Sequence, residues 1–186
     1  MDRLEKEESK KYTKMWAFDS YRERSPGMRF INKAIDAIHP EEGASIIDLG
    51  CGTGRTSNHL SELGYKVTAL DIAENACTEY AGDFIQSCIW SIPSNTGKFN
   101  YGVCFDVMEH LPTEKVDKSI KCVARHCDIA YFQIANFVCH EGDKIGESLH
   151  LTVKSADWWL NAMKKHYKYV EVSKQPQHHL ITCRNK

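Results

Sequence analysis

A glycine-rich segment of the chain has the composition of a loop that holds a ligand against its backbone. Residues 48–54 read Asp-Leu-Gly-Cys-Gly-Thr-Gly, and the apolar run 44–49 leads into them. Glycine permits a tight turn and a close approach of the ligand, and the amides at the start of a following helix attract polar groups. The segment therefore predicts cofactor-binding roles for Gly50, Cys51, Gly52 and Gly54.

The spacing of these glycines narrows the class of ligand. A dinucleotide fingerprint would need glycine at position 55 or 57, where the chain has Arg55 and Ser57. A P-loop would need Gly-Lys-Ser or Gly-Lys-Thr, which does not follow. Asp48 precedes the first glycine, and its carboxylate would repel a pyrophosphate but would attract a cationic ligand, directly or through water. The loop disfavours a nicotinamide dinucleotide and predicts a cofactor-binding role for Asp48.

A second acid, Asp71, ends the next apolar run at 65–70. An acid at the end of the strand after a glycine loop can accept hydrogen bonds from both hydroxyls of a ribose. We predict this role for Asp71, with Ile72 beside it in the binding site. The alternative is that Asp71 only caps a helix, which the pattern predicts over 73–81.

Side chains that can exchange protons follow a later apolar run at 101–106. Asp106, Glu109 and His110 lie at its end, and His150 follows the fifth predicted strand. Because ligands bind at the carboxyl ends of parallel strands, we expect Asp106 to contact the cofactor. His110 and His150 are the candidate general bases, since imidazole exchanges protons near neutral pH. A capping or core role for His110, and a His150 turned away from the substrate, are the alternatives.

Apolar runs alternate with helical patterns along the chain. Strands are predicted at 44–49, 65–70, 84–89, 101–106, 129–134, 168–172 and 179–183, and helices after Ser25-Pro26, over 55–63 and 73–81, from about 113, and after Ser155. This alternation predicts an α/β fold with a doubly wound, mainly parallel sheet and helices on both faces. We expect one domain over 1–186, with a helix or lid at 1–27 and a core at 28–186. Trp16 and Tyr12 are expected to close over the cofactor.

Composition and charge argue against a membrane partner, and they neither indicate nor exclude a nucleic acid. The chain has 186 residues and a formal net charge of −1, so bulk charge indicates neither a nucleic acid nor a membrane surface. No apolar run approaches the roughly 20 residues that a membrane span requires, and the charged start of the chain is unlike a secretory signal. The eight cysteines form no C-x-x-C pair, which predicts reduced thiols, a cytoplasmic location and no metal site.

Three segments resemble class I S-adenosylmethionine-dependent methyltransferases, which have a Rossmann-like fold. Residues 48–54 look like their motif I, and 67–72 resemble the segment with the ribose-binding acid. Residues 105–112 are similar to the end of strand four in small-molecule members, particularly those that methylate quinone precursors. The resemblance covers about 28–186. It implies a seven-stranded sheet with an antiparallel final strand, and S-adenosyl-L-methionine as cofactor, whose ammonium and sulfonium groups suit Asp48.

The adenine end of the expected cofactor site departs from the family pattern. Members of the family often have an acid after the third strand that bonds the adenine amino group, and Cys88 stands at that place. Because a thiol is a weak hydrogen-bonding group, we expect stacking and backbone groups around Ile89 and Trp90 to hold the adenine. Ordinary packing is the alternative for Trp90.

The resemblance implies transfer of a methyl group to an oxygen or nitrogen of a small-molecule acceptor. Strand four lacks the Asn/Asp-Pro-Pro-Tyr/Phe ending of amino-methylating DNA enzymes, and no Pro-Cys follows it, which disfavours chemistry at cytosine C5. A nucleotide or modified base stays open as acceptor. A protein that cleaves the cofactor, a non-catalytic cofactor-binding subunit and the oligomeric state also stay open.

Overall fold

The computed structural model describes residues 1–185, which fold around one seven-stranded sheet; position 186, the end of the expected core, lies outside the described residues. The strands are β1 (Ser45–Leu49), β2 (Lys66–Asp71), β3 (Asp83–Gln86), β4 (Phe99–Phe105), β5 (Cys127–Ala135), β6 (Tyr169–Lys174) and β7 (His178–Arg184). Their order is β3-β2-β1-β4-β5-β7-β6. Strands β1 to β5 pair in parallel, and β7 runs antiparallel to both β5 and β6. The mainly parallel sheet with an antiparallel final strand is therefore confirmed.

Six α-helices lie within the described residues. They are α1 (Arg3–Met15), α2 (Asp19–Arg22), α3 (Pro26–Ile38), α4 (Arg55–Glu62), α5 (Thr113–His126) and α6 (Ala156–Met163). Short 3-10 turns occur at Ile89–Ser91, Ser94–Thr96, Met108–His110 and Glu141–Ile145. The side chain of Asp2 accepts from the Glu5 amide and the Glu5 side chain accepts from the Asp2 amide, a reciprocal cap that begins α1.

Neighbouring residues of a strand point to opposite sides of the sheet, so both faces carry apolar side chains. Helices cover each face and bury these side chains. Ile46 packs in a cluster that includes Leu60 of α4 and residues of α3. Ile47 packs in the other cluster, with residues of α5 and α6. Both isoleucines are fully buried, and burial of each contributes about 2 kcal/mol to stability. The predicted doubly wound architecture is confirmed.

The helix predicted over 73–81 is wrong, because the segment forms turns instead. Its backbone groups bond to other parts of the chain. The amides of Thr78 and Glu79 donate to the Thr53 carbonyl, and the guanidinium of Arg22 donates to the Asn75 carbonyl. These bonds replace the internal ladder that a helix would need.

Two predicted strands end earlier than expected. The third strand ends at Gln86, so residues 87–89 of the predicted strand 84–89 lie beyond it and Ile89 begins a 3-10 turn. Asp106 follows β4 in a left-handed conformation, which ends the strand one residue before the predicted limit. The segment 5–24 contains two helices, α1 and α2, separated by a turn.

The order of the strands defines the place where a ligand binds. Strand β1 lies between β2 and β4, and the chain leaves β1 on one side and returns to β4 on the other. In open α/β sheets the crevice at such a switch point, outside the carboxyl ends of the strands, receives the ligand. The loops after β1 and β4 meet there.

All eight cysteines are free thiols, as the sequence predicts. None of the helices formed by residues 1–185 is long and apolar enough to cross a membrane.

Candidate functional site

The glycine loop after β1 has a backbone that only glycine adopts without strain. Gly50, Gly52 and Gly54 have φ angles of +77°, +54° and +88°. A Cβ atom at Gly50 would stand 2.3 Å from Cγ2 of Val107, and one at Gly52 would stand 2.8 Å from the Trp16 ring. A side chain at either position would therefore displace Val107 or Trp16, both of which border the first cavity described below.

The predicted glycines do not all face the same space. Gly54 caps α4 and packs against Cys77 and Tyr80, away from the cavities described below. The amides of Gly50 and Cys51 donate to the Leu70 carbonyl at 2.7 and 2.9 Å, which fixes the loop against β2.

Asp71 at the end of β2 is bonded to the glycine loop. Its Oδ2 accepts from the Gly52 amide at 3.0 Å, and its Oδ1 accepts from the Ala73 amide at 2.9 Å. Burial raises the pKa of the Asp71 carboxyl to about 6, although the Ala73 and Gly52 amides oppose this shift. No helix of residues 1–185 begins directly after Asp71 for it to cap. Its carboxylate instead holds the glycine loop and the turn after β2, and each oxygen keeps a further lone pair toward a ligand.

Asp48 lies buried at the base of the same loop. Its Oδ2 accepts from the Ser57 hydroxyl at 2.7 Å. Burial raises the pKa of the Asp48 carboxyl to about 7, more than the Ser57 hydrogen bond lowers it. A cation beside this carboxyl would favour its ionised form.

A first cavity, with about 620 Å³ of empty space, lies over the ends of β1 and β2. The predicted cofactor-binding residues in its wall are Gly50, Asp71, Ile72, Cys88, Ile89, Trp90, Asp106 and Trp16. The Trp90 indole Nε1 donates to Glu5 Oε1 of α1 at 3.1 Å, so this side chain both packs and lines the cavity.

A second cavity, with about 690 Å³ of empty space, adjoins the first. Asp48, Cys51, Gly52 and His150 line only the second cavity. Five residues line both cavities: Trp16, Tyr21, Gly50, Asp106 and His110. The two spaces therefore meet between the glycine loop and the end of β4.

The N-terminal helices form one wall of both cavities. The Tyr12 hydroxyl is 2.8 Å from Nδ1 of His110, and the rings of Trp16 and Tyr21 meet edge to face at 4.7 Å. The Arg22 guanidinium donates to the Trp16 carbonyl at 3.0 Å, which anchors the end of this wall. The segment predicted as a lid covers the site in this conformation.

Four ionisable side chains converge between β4 and the loop after β5. We call Asp106, Glu109, His110 and His150 the four-residue cluster. One possible ligand atom from each lies within 4.8 Å of those of the other three. The Thr152 amide donates to the Glu109 carbonyl at 2.8 Å, and this bond brings the His150 segment to the 3-10 turn at Met108–His110.

The balance between burial and the neighbouring groups raises the pKa of Glu109 and lowers the pKa values of Asp106 and His110. Burial and the Asp106 charge raise the pKa of Glu109 well above its usual range. Burial also opposes ionisation of Asp106, but the Glu109 hydrogen bond and His110 lower the pKa of Asp106 overall. Burial, and secondarily His150, lower the pKa of His110 to about 3. An imidazole with so low a pKa is a weak proton acceptor, which disfavours His110 as a general base; the base roles of His110 and His150 stay predictions.

Glu109 and Tyr21 make contacts in the site that the sequence does not indicate. Glu109 follows β4 in the sequence but receives no specific role there, and its contact with the Ala135 amide joins two strand ends. Tyr21 lines both cavities. In the sequence, only its position in the aromatic N-terminal segment indicates that it could belong to the site.

With this geometry in view, comparison with known proteins identifies the class. The methyltransferase domain family matches residues 15–173. The chain belongs to this family.

Curated relatives match parts of the chain. A putative methyltransferase, YqeM, of Bacillus subtilis is 35% identical over 104 residues, which cover 50% of this chain and 41% of that protein. A probable S-adenosyl-L-methionine-dependent methyltransferase, TehB, of Haemophilus influenzae is 31% identical over 108 residues, 54% of this chain and 38% of that protein. A ubiquinone biosynthesis O-methyltransferase of Xanthomonas oryzae is 31% identical over 80 residues, which cover 38% of this chain and 34% of that protein. The chain thus spans between about a third and two fifths of the length of these relatives.

Solved structures share the fold at low sequence identity. A DhpI–SAH complex has a TM-score of 0.68 at 16% identity and covers 92% of this chain and 93% of its own. Magnesium protoporphyrin IX methyltransferase from Synechocystis PCC 6803, with bound SAM, has a TM-score of 0.63 at 17% identity. The match covers 84% of this chain and 78% of that protein. These likenesses support the Rossmann-like methyltransferase fold.

Proposed function

We propose that the chain binds S-adenosyl-L-methionine and transfers its methyl group to a small molecule. One observation carries the proposal: Asp71 is bonded to the glycine loop and lines a cavity that opens, past Gly50 and Asp106, into a second cavity. A cofactor and an acceptor need two such adjoining spaces. Family membership and the SAM- or SAH-bound neighbours support the same activity.

The residues around the first cavity fit this cofactor. Asp71 would accept from the ribose hydroxyls, and Gly50, which lines both cavities, would let the ligand approach the loop backbone closely. Cys88 and Ile89 would pack around the adenine, with Trp90 holding α1 through Glu5. Asp48 would attract the ammonium group, as a buried carboxylate that lacks a basic partner among its hydrogen bonds.

Bound S-adenosyl-L-methionine would supply an activated methyl group. The acceptor atom would form a bond to the methyl carbon, the S–CH₃ bond would break with its electron pair on sulfur, and the acceptor would lose its proton to solvent. The chain aligns the acceptor and excludes water. Trp16 and Tyr21, which stand between the two cavities, would enclose the reacting atoms.

The acceptor is an oxygen or nitrogen of a small molecule. The second cavity is lined by the polar side chains Asp48, Asp106, His110 and His150, which could bond to the acceptor. The ubiquinone biosynthesis O-methyltransferases among the relatives support a small hydroxylated acceptor. Nothing in the geometry favours a nucleotide or a modified base over it.

Binding is tested by calorimetric titration of the purified chain with SAM and with SAH. Asp71→Asn is expected to weaken SAM binding about 10- to 100-fold, since a hydrogen bond to a charged acceptor contributes about 1.5–3 kcal/mol. Glu74→Gln is the matched control, because Glu74 is exposed in the same segment. Equal affinities of the two variants would contradict the ribose role of Asp71.

Transfer is tested by incubating SAM with hydroxyl and amine acceptors and weighing the products by mass spectrometry. SAH together with an acceptor that has gained one methyl group supports the proposal. Methylthioadenosine would instead support cleavage of the cofactor, and binding without turnover by the chain alone would support a non-catalytic subunit.

A further inference from the structure

The four-residue cluster has the donor set of a divalent cation site. Two carboxylates and two imidazoles each place one ligand atom within 4.8 Å of the others. Carboxylate oxygen and imidazole nitrogen are common protein ligands of divalent metals. The residues Glu109, His110 and His150 are at most 8% exposed, and Asp106 is partly exposed. Asp106, His110 and His150 line the second cavity.

Glu109 contains a buried oxygen to which no donor group of residues 1–185 is bonded. Its side chain is fully buried, and its Oε1 accepts from the Ala135 amide at 2.8 Å. Its Oε2 has no hydrogen-bond donor among residues 1–185 and belongs to the cluster with the Asp106 carboxyl. A buried carboxylate oxygen without a donor is costly. Either a proton shared with Asp106 or a cation would relieve this cost.

The two imidazoles have the orientation of metal ligands. Nδ1 of His150 is 2.7 Å from the Phe137 carbonyl, which can only accept, so Nδ1 carries the hydrogen and Nε2 keeps its lone pair. Nδ1 of His110 is bonded to the Tyr12 hydroxyl at 2.8 Å, which leaves Nε2 for another partner. Metal-binding histidines are held in this way by a hydrogen bond from the second ring nitrogen.

The backbone holds the cluster together without a cation. Asp106 has a φ of +58°, a strained conformation for a residue other than glycine. The amide of Thr152 donates to Glu109, and its hydroxyl donates to the Leu111 carbonyl at 2.7 Å. These bonds fix His150 beside a turn that lies about 40 residues earlier in the chain, an arrangement that a merely solvated group of charges does not need.

We propose that Asp106, Glu109, His110 and His150 bind one divalent transition-metal cation, which holds a hydroxyl oxygen of the acceptor in the second cavity. The proposal that the cluster binds a cation depends only on the geometry of the cluster. The proposal that this cation holds the acceptor rests on the proposed methyl transfer.

The donor set selects the kind of cation and of acceptor. Imidazole ligands favour zinc, iron, nickel or copper over magnesium and calcium, and the two carboxylates of the cluster also suit manganese. A cation with about six ligands keeps about two positions for acceptor oxygens after four protein ligands bind. A bound hydroxyl loses its proton to water more easily. The proposal therefore narrows the acceptor from an oxygen or nitrogen compound to one with a hydroxyl group, and it replaces the expectation of no metal site.

The test uses Mn²⁺ as the probe and the purified, metal-stripped full chain. Electron paramagnetic resonance reports free Mn²⁺ and does not depend on methyl transfer. We expect about one Mn²⁺ bound per wild-type chain and an affinity at least tenfold lower in Glu109→Gln and in His150→Gln. Asp117→Asn is the control, because Asp117 pairs with His166 on the surface and lies outside the cluster. The control should bind Mn²⁺ as the wild type does.

SAM titration of the same proteins separates this inference from the proposed function. Glu109→Gln should keep SAM binding, and Asp71→Asn should keep Mn²⁺ binding. If both cluster variants fail to fold, nitrogen hyperfine couplings in the spectrum of wild-type-bound Mn²⁺ are the second measurement, since they report imidazole ligands directly. A wild type that binds SAM but neither Mn²⁺ nor Zn²⁺, or bound Mn²⁺ without nitrogen couplings, overturns the inference and leaves the cofactor proposal standing.

Discussion

The Tyr12 hydroxyl of α1 and Nδ1 of His110 after β4 lie 2.8 Å apart, although 98 residues separate them in the chain. The two rings also meet edge to face, with centroids 5.7 Å apart. This contact joins the N-terminal helix to the end of the central strand β4. It makes α1 a wall of the site and fixes the ring of one cluster residue.

Tyr12→Phe should destabilise the protein by about 1–3 kcal/mol, because His110 loses the partner of a buried ring nitrogen. Urea denaturation measures this change. Tyr169→Phe is the control, since Tyr169 is half exposed on β6, and we expect a change within about 0.5 kcal/mol for it. Equal midpoints for the two variants would show that the Tyr12 bond carries no net stability.

Gly52→Ala should cost more stability than Gly43→Ala. Both glycines have a positive φ, +54° and +69°, so alanine strains each backbone by about 1–2 kcal/mol. The added methyl at Gly43 meets open space, whereas at Gly52 it stands 2.8 Å from the Trp16 ring and must displace it. The difference between the two variants in urea denaturation isolates the contact with Trp16. A Gly43→Ala variant as unstable as Gly52→Ala would remove the contact as the cause.

Asp48 and Asp71 should each contribute stability to the cofactor-free protein that is lost as the pH rises from about 4 to about 7. Burial raises the pKa of Asp48 to about 7 and that of Asp71 to about 6, so the folded state holds protons that the unfolded chain releases near pH 4. This stability is present below pH 4 and is lost as the pH passes the folded values.

Asp48→Asn should remove a loss of stability of the order of 4 kcal/mol over this window, relative to the wild type. Denaturant titrations at several pH values measure it, and the difference between wild type and variant cancels the other titrating groups. Asp83→Asn, at an exposed position on β3, is the control and should keep the wild-type slope. A slope unchanged by Asp48→Asn would contradict the raised pKa of Asp48.

Cys77 should be the first cysteine to react with iodoacetamide at neutral pH. A hydrogen bond from the Cys51 thiol lowers the pKa of Cys77, whereas burial raises the pKa of Cys139, which is also half buried. The thiolate is the reactive form. Peptide mass spectrometry gives the order of labelling.

Cys51→Ala should slow alkylation of Cys77, and Cys122→Ala should not, because Cys122 lies on α5 away from the glycine loop. Faster labelling of Cys139 than of Cys77 in the wild type would contradict the prediction.

The sequence predicts local features of the site better than those that depend on distant contacts. The glycine loop and Asp71 are recognisable because each lies where a strand ends, and the structure bonds them to one another. The helix at 73–81 is wrong because Thr53 and Arg22, outside the segment, take its backbone groups.

The cluster shows the same limit. Asp106, Glu109 and His110 stand together in the sequence, but the fourth member, His150, comes from a loop after β5. No ligand spacing in the sequence indicates it, because the Thr152 bond to the Glu109 carbonyl, a tertiary contact, sets its place.

The five residues that line both cavities have a consequence for the energetics of binding. Trp16 and Tyr21 line both cavities, so a ligand in one cavity would limit the side-chain positions available to a ligand in the other. Occupancies of two sites that share a wall are thermodynamically linked, and the linkage is reciprocal. Whatever factor the first ligand imposes on the affinity of the second, the second must impose on the first.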